Sequence, residues 1–162
     1  MRQSDLTDFE RGALVEALNH LLGNGCRLFR VSKCCSWNAQ GQYGSAAREL
    51  FGSQAEEIWN AQNGIALSVR RLGGEAVPDD SDGVVVERPQ ELKYLIDDAR
   101  RLAVILVEGH RNTLLSLRAA NDVAAELEKF EVSSVIGKRI EAHTRHLQQL
   151  SLFGGLDERI RN

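Results

Sequence analysis

Proline is almost missing from this chain of 162 residues; Pro78 and Pro89 are the only two. An internal proline costs a helix about 3 kcal/mol. Its confinement to one short stretch leaves residues 1–77 and 90–162 open to long helices. Long apolar runs are missing as well: none approaches the roughly 18 residues that span a bilayer. The stretch Met1-Arg2-Gln3-Ser4-Asp5 has no apolar signal-peptide core, so the expected location is the cytoplasm, with no membrane partner. There is no basic surplus. Lys and Arg total 20 against 23 Asp and Glu, a net charge of -3, which argues against a dedicated nucleic-acid binder. Cysteine is scarce and odd in number: Cys26, Cys34 and Cys35 form no zinc-type CxxC pair. They read as buried or half-buried free thiols in a reducing compartment, with a redox role for the vicinal Cys34-Cys35 pair as the alternative.

What is present is helical periodicity. At 43% hydrophobic and 27% charged residues, the composition suits one globular domain with an adequate core. A first helix is predicted over residues 7–36, with Thr7 and Glu10 as a capping box and Leu14, Leu18, Leu21, Leu22, Leu28 and Phe29 at helical spacing. Gly23 and Gly25 interrupt its middle and mark a bend or a close helix–helix contact. A second helix is predicted over 44–72, with Ala47, Leu50, Phe51, Ile58, Ile65 and Val69 on its apolar stripe and a Gly73-Gly74 stop.

Residues 75–88 read as an acidic loop holding Val84-Val85-Val86, too short to claim as a strand. Pro89 suits the first turn of a third helix over 89–128, through Leu92, Leu95, Ile96, Leu102, Leu106, Leu114 and Leu117. Ser133 or Ser134 is placed to cap a fourth helix over 133–151 with Val135, Ile136, Ile140, His143, Leu147 and Leu150. The tail 154–162 is polar and expected to be loose. Four long amphipathic segments with the long connection between the second and third imply an all-α, antiparallel four-helix bundle, up-down-down-up, as one domain.

Residues 33–74 carry more than periodicity. Ser36-Trp37-Asn38-Ala-Gln-Gly, then Ala-Arg-Glu-Leu-Phe, Gln-Ala-Glu-Glu-Ile and Arg-Arg-Leu-Gly-Gly follow one another in order. This block resembles the signature of Dps proteins, the ferritin-like shells that oxidise and store iron in starved bacteria. The resemblance implies a ferritin-like bundle, a cytoplasmic homo-oligomeric shell of twelve subunits, a role in the stress response, iron as the bound metal and an inter-subunit ferroxidase site. That family's ligands are a His before Trp-Asn, a His twelve residues on, an acid four further, an acid eleven beyond that and a Glu four after. Nitrogen and carboxylate donors of this kind suit Fe(II) and neutralise the ferric product.

In this chain those positions hold Ser36, Arg48, Gly52, Asn63 and Leu67. Arg cannot lose its proton, so Arg48 opposes a dication where the family has a neutral His. The usual site is therefore expected to be lost, with no catalytic residue assigned. Glu56 is the nearest remaining carboxylate, a weak substitute ligand or an ion-pair partner for Arg48 within or between subunits. Trp37 and Arg48 are assigned to subunit-interface packing. A central site of the ferritin kind needs Glu-x-x-His pairs on neighbouring helices. Glu16 with His20, Glu108 with His110, and His143 with His146 do not complete such a set, and each histidine reads as a surface or hydrogen-bonded group.

DNA binding, the family's other activity, depends in many members on Lys-rich tails. Here Arg2 is followed by Asp5 and Asp8, and Arg159 and Arg161 are balanced by Asp157 and Glu158, so neither end reads as a phosphate binder. The loop 75–88 is shorter than is usual in the family and is expected to lack a small interface helix. The reading taken is a Dps-like shell protein without its ferroxidase site, able to co-assemble with an active relative. The alternatives are a ferroxidase with relocated ligands and a helical interaction module that forms no shell.

Overall fold

Thr7 starts the first helix by the expected device. Its Oγ1 accepts from the Glu10 backbone N–H at 3.2 Å, while Glu10 Oε2 accepts from the Thr7 N–H at 2.8 Å. The helix that follows, α1 (Asp8–Asn38), belongs to a computed structural model that describes residues 6–79 and 97–153. After it come β1 (Ala39–Gln40), α2 (Gly44–Arg71), β2 (Asp97–Asp98), α3 (Ala99–Glu126) and α4 (Phe130–Leu152). The helices form the expected antiparallel, up-down-down-up bundle, α1 packing most extensively on α2 and α3 on α4. Among the described residues no helix is long and apolar enough to cross a membrane.

Asp97 and Asp98, expected inside the third helix, instead pair in parallel with Ala39 and Gln40. Their backbone is committed to this two-residue ladder, so the described helix starts at Ala99. The ladder sets the start of α3 beside the start of α2, which makes those two helices run the same way. The fourth helix also starts earlier than expected, at Phe130 after Lys129, with no side-chain cap. Glu128 takes a left-handed φ of 54°, and the Lys129 N–H returns to the Ala124 carbonyl at 2.8 Å. That turn closes α3 and launches α4 at once. Ser133 Oγ is left buried without a partner instead of capping. The expected Pro89 start, Leu92, Leu95, Ile96, the Val84-Val85-Val86 run and both chain ends lie outside the described residues.

The α2 stop is as expected: Gly73 has φ 83°, and the Gly74 N–H reaches the Val69 carbonyl at 3.1 Å. The two glycines within α1 admit different neighbours. A Cβ on Gly25 would lie 2.0 Å from Gln62 Nε2 of α2, and one on Gly23 would lie 1.9 Å from the Asp79 carbonyl oxygen. Gly25 thus serves a close helix–helix contact, while Gly23 lets the segment leaving α2 lie across α1.

The core divides into two apolar clusters. One gathers Cys35, Ala47, Phe51, Leu102, Leu106 and Leu150. The other gathers Leu14, Leu18, Ile65, Leu117, Val132 and Ile136. Along every helix the two sets occupy opposite ends. Between them lie the buried polar side chains Gln54, His110, Thr113, Arg139, His143 and His146.

Candidate functional site

The positions singled out by sequence lie along α1 and α2. Ser36, near the end of α1, is buried and donates its hydroxyl to the Arg48 backbone carbonyl at 2.8 Å. Gly52 follows one turn after Arg48; a Cβ there would lie 3.1 Å from Ser36 Oγ. The Arg48 side chain is exposed, as are Asn63 and Leu67. Ser36, the Arg48 backbone and Gly52 therefore meet, while Asn63 and Leu67 stand apart further along α2. Glu56 is held by Lys33 of α1, Nζ to Oε1 2.8 Å, rather than by Arg48. Trp37 is 68% exposed on the chain, and Trp59 leans on Phe29 with ring centroids 5.0 Å apart.

The richer constellation is the polar layer: of the histidines expected to be surface or hydrogen-bonded groups, three are buried together and hydrogen-bonded. His110 of α3 and His143 and His146 of α4 are 0%, 3% and 1% exposed. Their ring centroids lie 5.0–5.9 Å apart. His110 Nδ1 and His143 Nδ1 are 2.8 Å apart, so one of these nitrogens donates and the other accepts. His146 Nε2 lies 2.7 Å from Oε2 of Glu57 on α2, and the other oxygen of Glu57 binds the Arg145 guanidinium.

Burial sets the charge states. Desolvation, with the charges of His146 and Arg139 adding to it, pushes His110 down to about 3. Desolvation, with His110 and Arg139 adding, pushes His143 down to about 2. His146 is lowered too, by burial, against the opposing pull of Glu57. For Glu57, burial raises the carboxyl, but the His146 and Arg145 hydrogen bonds outweigh it and hold the group below its ordinary value. Near neutrality the layer thus contains three uncharged imidazoles beside an ionised carboxylate.

The layer is also incompletely satisfied. His110 Nε2, His146 Nδ1, Gln54 Oε1 and Arg139 Nη2 are buried without a partner. A cavity of about 10 Å³, bordered by Gly25, Gln62, Thr113, Arg139 and His143, has room for roughly one water. Neutral imidazoles with free lone pairs can accept a proton, a water hydrogen or a metal ion.

Sequence reasoning missed this layer because it sought ligand pairs within single helices. A signal was present all the same. His110 continues the stripe Leu102, Leu106, His110, Thr113, Leu117, and His143 and His146 continue Ile136, Arg139, His143, His146, Leu150. Residues on such a stripe face the core.

Neither a protein-family model nor a curated protein matches the chain. Solved structures do. A Dps protein from Bacillus brevis superposes with a TM-score of 0.79 at 16% identity, over 91% of this chain and 99% of that one. A Dps protein from Vibrio cholerae O1, described as one of a broad superfamily of ferritin-like diiron-carboxylate proteins, gives 0.76 at 18%, over 91% and 92%. A dodecameric thioferritin, the bacterioferritin-related protein of Bacteroides fragilis, gives 0.75 at 17%, over 93% and 89%. At such identities the likeness establishes the fold: a ferritin-like bundle of the Dps type.

Proposed function

We propose that this chain, built on the ferritin-like bundle seen in Dps proteins, is the subunit of a Dps-like dodecameric shell related to iron storage and oxidative-stress protection, in which the inter-subunit ferroxidase set has been replaced. The observation that carries this reading is the use made of the replaced positions. Ser36 commits its hydroxyl to the Arg48 carbonyl, Gly52 has no side chain, and Glu56 is engaged by Lys33. Asn63 and Leu67 are exposed and offer no carboxylate.

Assembly is supported by the dodecameric state of the structurally similar Bacteroides fragilis protein. The large exposed side chains Trp37, Trp59, Leu67 and Leu115 also suit burial against further copies, since aromatic and aliphatic surface of this size favours contact. Co-assembly with an active relative would let such a subunit complete a shell without turning over iron itself.

Light scattering and Fe(II) titration in air test the two halves of the reading. A particle of twelve 18.0 kDa chains that oxidises Fe(II) no faster than buffer is the expected result. Fast, saturable oxidation would instead support relocated ligands. A stable monomer or dimer would support an interaction module that forms no shell.

A further inference from the structure

We propose that His110, His143 and His146 form an intrachain site for one divalent transition ion of the Zn²⁺ class, with Glu57 orienting His146 from α2. Each imidazole offers a ligand nitrogen, and the three nitrogens lie within 4.8 Å of one another. A zinc ion takes imidazole nitrogens at about 2.0–2.1 Å in near-tetrahedral array, so binding requires the rings to turn until all three nitrogens reach that distance from one point. Among the described residues no carboxylate or thiol joins this cluster as a further ligand. That composition suits one borderline ion and not a carboxylate-bridged pair, and it selects against Mg²⁺ and Ca²⁺, which require oxygen donors.

The hydrogen bonds fix which nitrogens are available. Glu57 Oε2 accepts the His146 Nε2 proton at 2.7 Å, which leaves the Nδ1 lone pair directed elsewhere. His146 Nδ1 is buried and unpartnered. A carboxylate on the far nitrogen of a ligating imidazole is the usual second partner in metal sites, because it holds the tautomer and raises ligand basicity. His110 Nε2 is likewise buried and unpartnered. A single proton bridges His110 Nδ1 and His143 Nδ1. If His110 keeps that proton, its Nε2 carries a lone pair. His143 then joins by turning away from the bridge, and all three ligands stay neutral.

Arg139 opposes the ion. The residue is 9% exposed, with its Nη2 buried and unpartnered, and its charge acts on all three imidazoles. The same Nη2–H is a ready donor to a water or hydroxide completing the ion's fourth position. All of these ligands come from one chain, so the proposal does not depend on shell assembly.

The full-length protein, stripped with chelator and returned to neutral buffer, is titrated with Zn²⁺ by calorimetry and with Co²⁺ by visible absorption. The expected result is one ion per chain, the strong d–d bands of tetrahedral Co²⁺ and no response to Mg²⁺. His110→Gln and His146→Gln are each expected to weaken binding at least a hundredfold. Glu57→Gln is expected to weaken it roughly ten- to a hundredfold, and Glu56→Gln to leave it unchanged. Should the buried histidine variants fail to fold, the half-exposed Glu57→Gln and a rise in wild-type Tm with Zn²⁺ carry the test. Absence of saturable binding, a stoichiometry other than one, or equal affinity in wild type and Glu57→Gln would overturn the proposal.

Discussion

Ser36 Oγ donates to the Arg48 carbonyl at 2.8 Å and ties the end of α1 to the first turns of α2. Gly52 lies beside that bond, and a Cβ there would come within 3.1 Å of Ser36 Oγ. The two positions are therefore coupled. Alanine at 52 gains about 1 kcal/mol of helix propensity but displaces a hydroxyl whose hydrogen bond contributes about 0.5–1.5 kcal/mol. Gly52→Ala alone is expected to be nearly neutral, and in a Ser36→Ala background to stabilise by about 1 kcal/mol. Urea denaturation of the four proteins measures the coupling; an equal effect of Gly52→Ala in both backgrounds would show that the sites do not interact.

Asn19 holds the segment leaving α2 against α1. Its Nδ2 donates to the Glu75 carbonyl at 2.9 Å, its Oδ1 accepts from the Val77 N–H at 3.1 Å, and its backbone carbonyl accepts from the Asp79 N–H at 3.0 Å. Gly23, one turn on, leaves room for the Asp79 carbonyl. Gly23→Ala should therefore destabilise, against the direction of helix propensity, by about 1–3 kcal/mol, because a backbone atom must move. A lower urea midpoint is expected, together with faster proteolysis near residues 75–79. A higher midpoint would mean the segment yields without cost.

The bundle was legible because its signals are local. Of the stripe Ala47, Leu50, Phe51, Ile58, Ile65 and Val69, all but the half-buried Leu50 are buried, and the capping box of Thr7 with Glu10 spans only four residues. What escaped was set by contacts distant in sequence. The pairing of Ala39 with Asp97 and of Gln40 with Asp98 takes those two aspartates out of the expected third helix. His110 and His143 are 33 residues apart, and Glu57 and His146 are 89 apart. Their approach follows from how α2, α3 and α4 pack: the stripe on each helix turns its histidines toward the core, but which residues they meet there is set by the other helices. Glu56 was read as the carboxylate of interest; its neighbour Glu57 points the other way around α2, toward the polar layer.

Acid should unsettle the metal-free protein well above the carboxylate range. An imidazole in the unfolded chain titrates near 6.5, whereas burial holds His110 at about 3 and His143 at about 2. Between these values the unfolded chain binds protons that the folded one excludes. The stability these groups contribute is thus present above pH 6.5 and lost as pH falls toward their folded values. At pH 5 each costs about 2 kcal/mol relative to neutrality. Glu57 acts in a lower window, since its lowered carboxyl loses its contribution only below the ordinary carboxylate value. Denaturation midpoints from pH 7.5 to 5 should fall in wild type and flatten in His110→Gln/His143→Gln. A flat wild-type profile would contradict burial of neutral imidazoles.

The cysteines should separate by reactivity. Cys35 is fully buried in the apolar cluster with Phe51 and Leu106, and burial, with the neighbouring Cys34 adding, pushes its thiol up to about 12. Thiolate is the reactive form, so at mildly alkaline pH its population falls about a thousandfold below that of an ordinary thiol, before access is considered. Cys26 and Cys34 are half-buried. Iodoacetamide should therefore label those two in the native protein and leave Cys35 unmodified, with all three labelled in urea, as read by mass spectrometry of peptides. The same burial opposes a disulfide between Cys34 and Cys35, because its formation needs a thiolate at one sulfur and access at the other. Rapid native labelling of Cys35 would show that the end of α1 opens, and would return the vicinal pair to consideration as a redox couple.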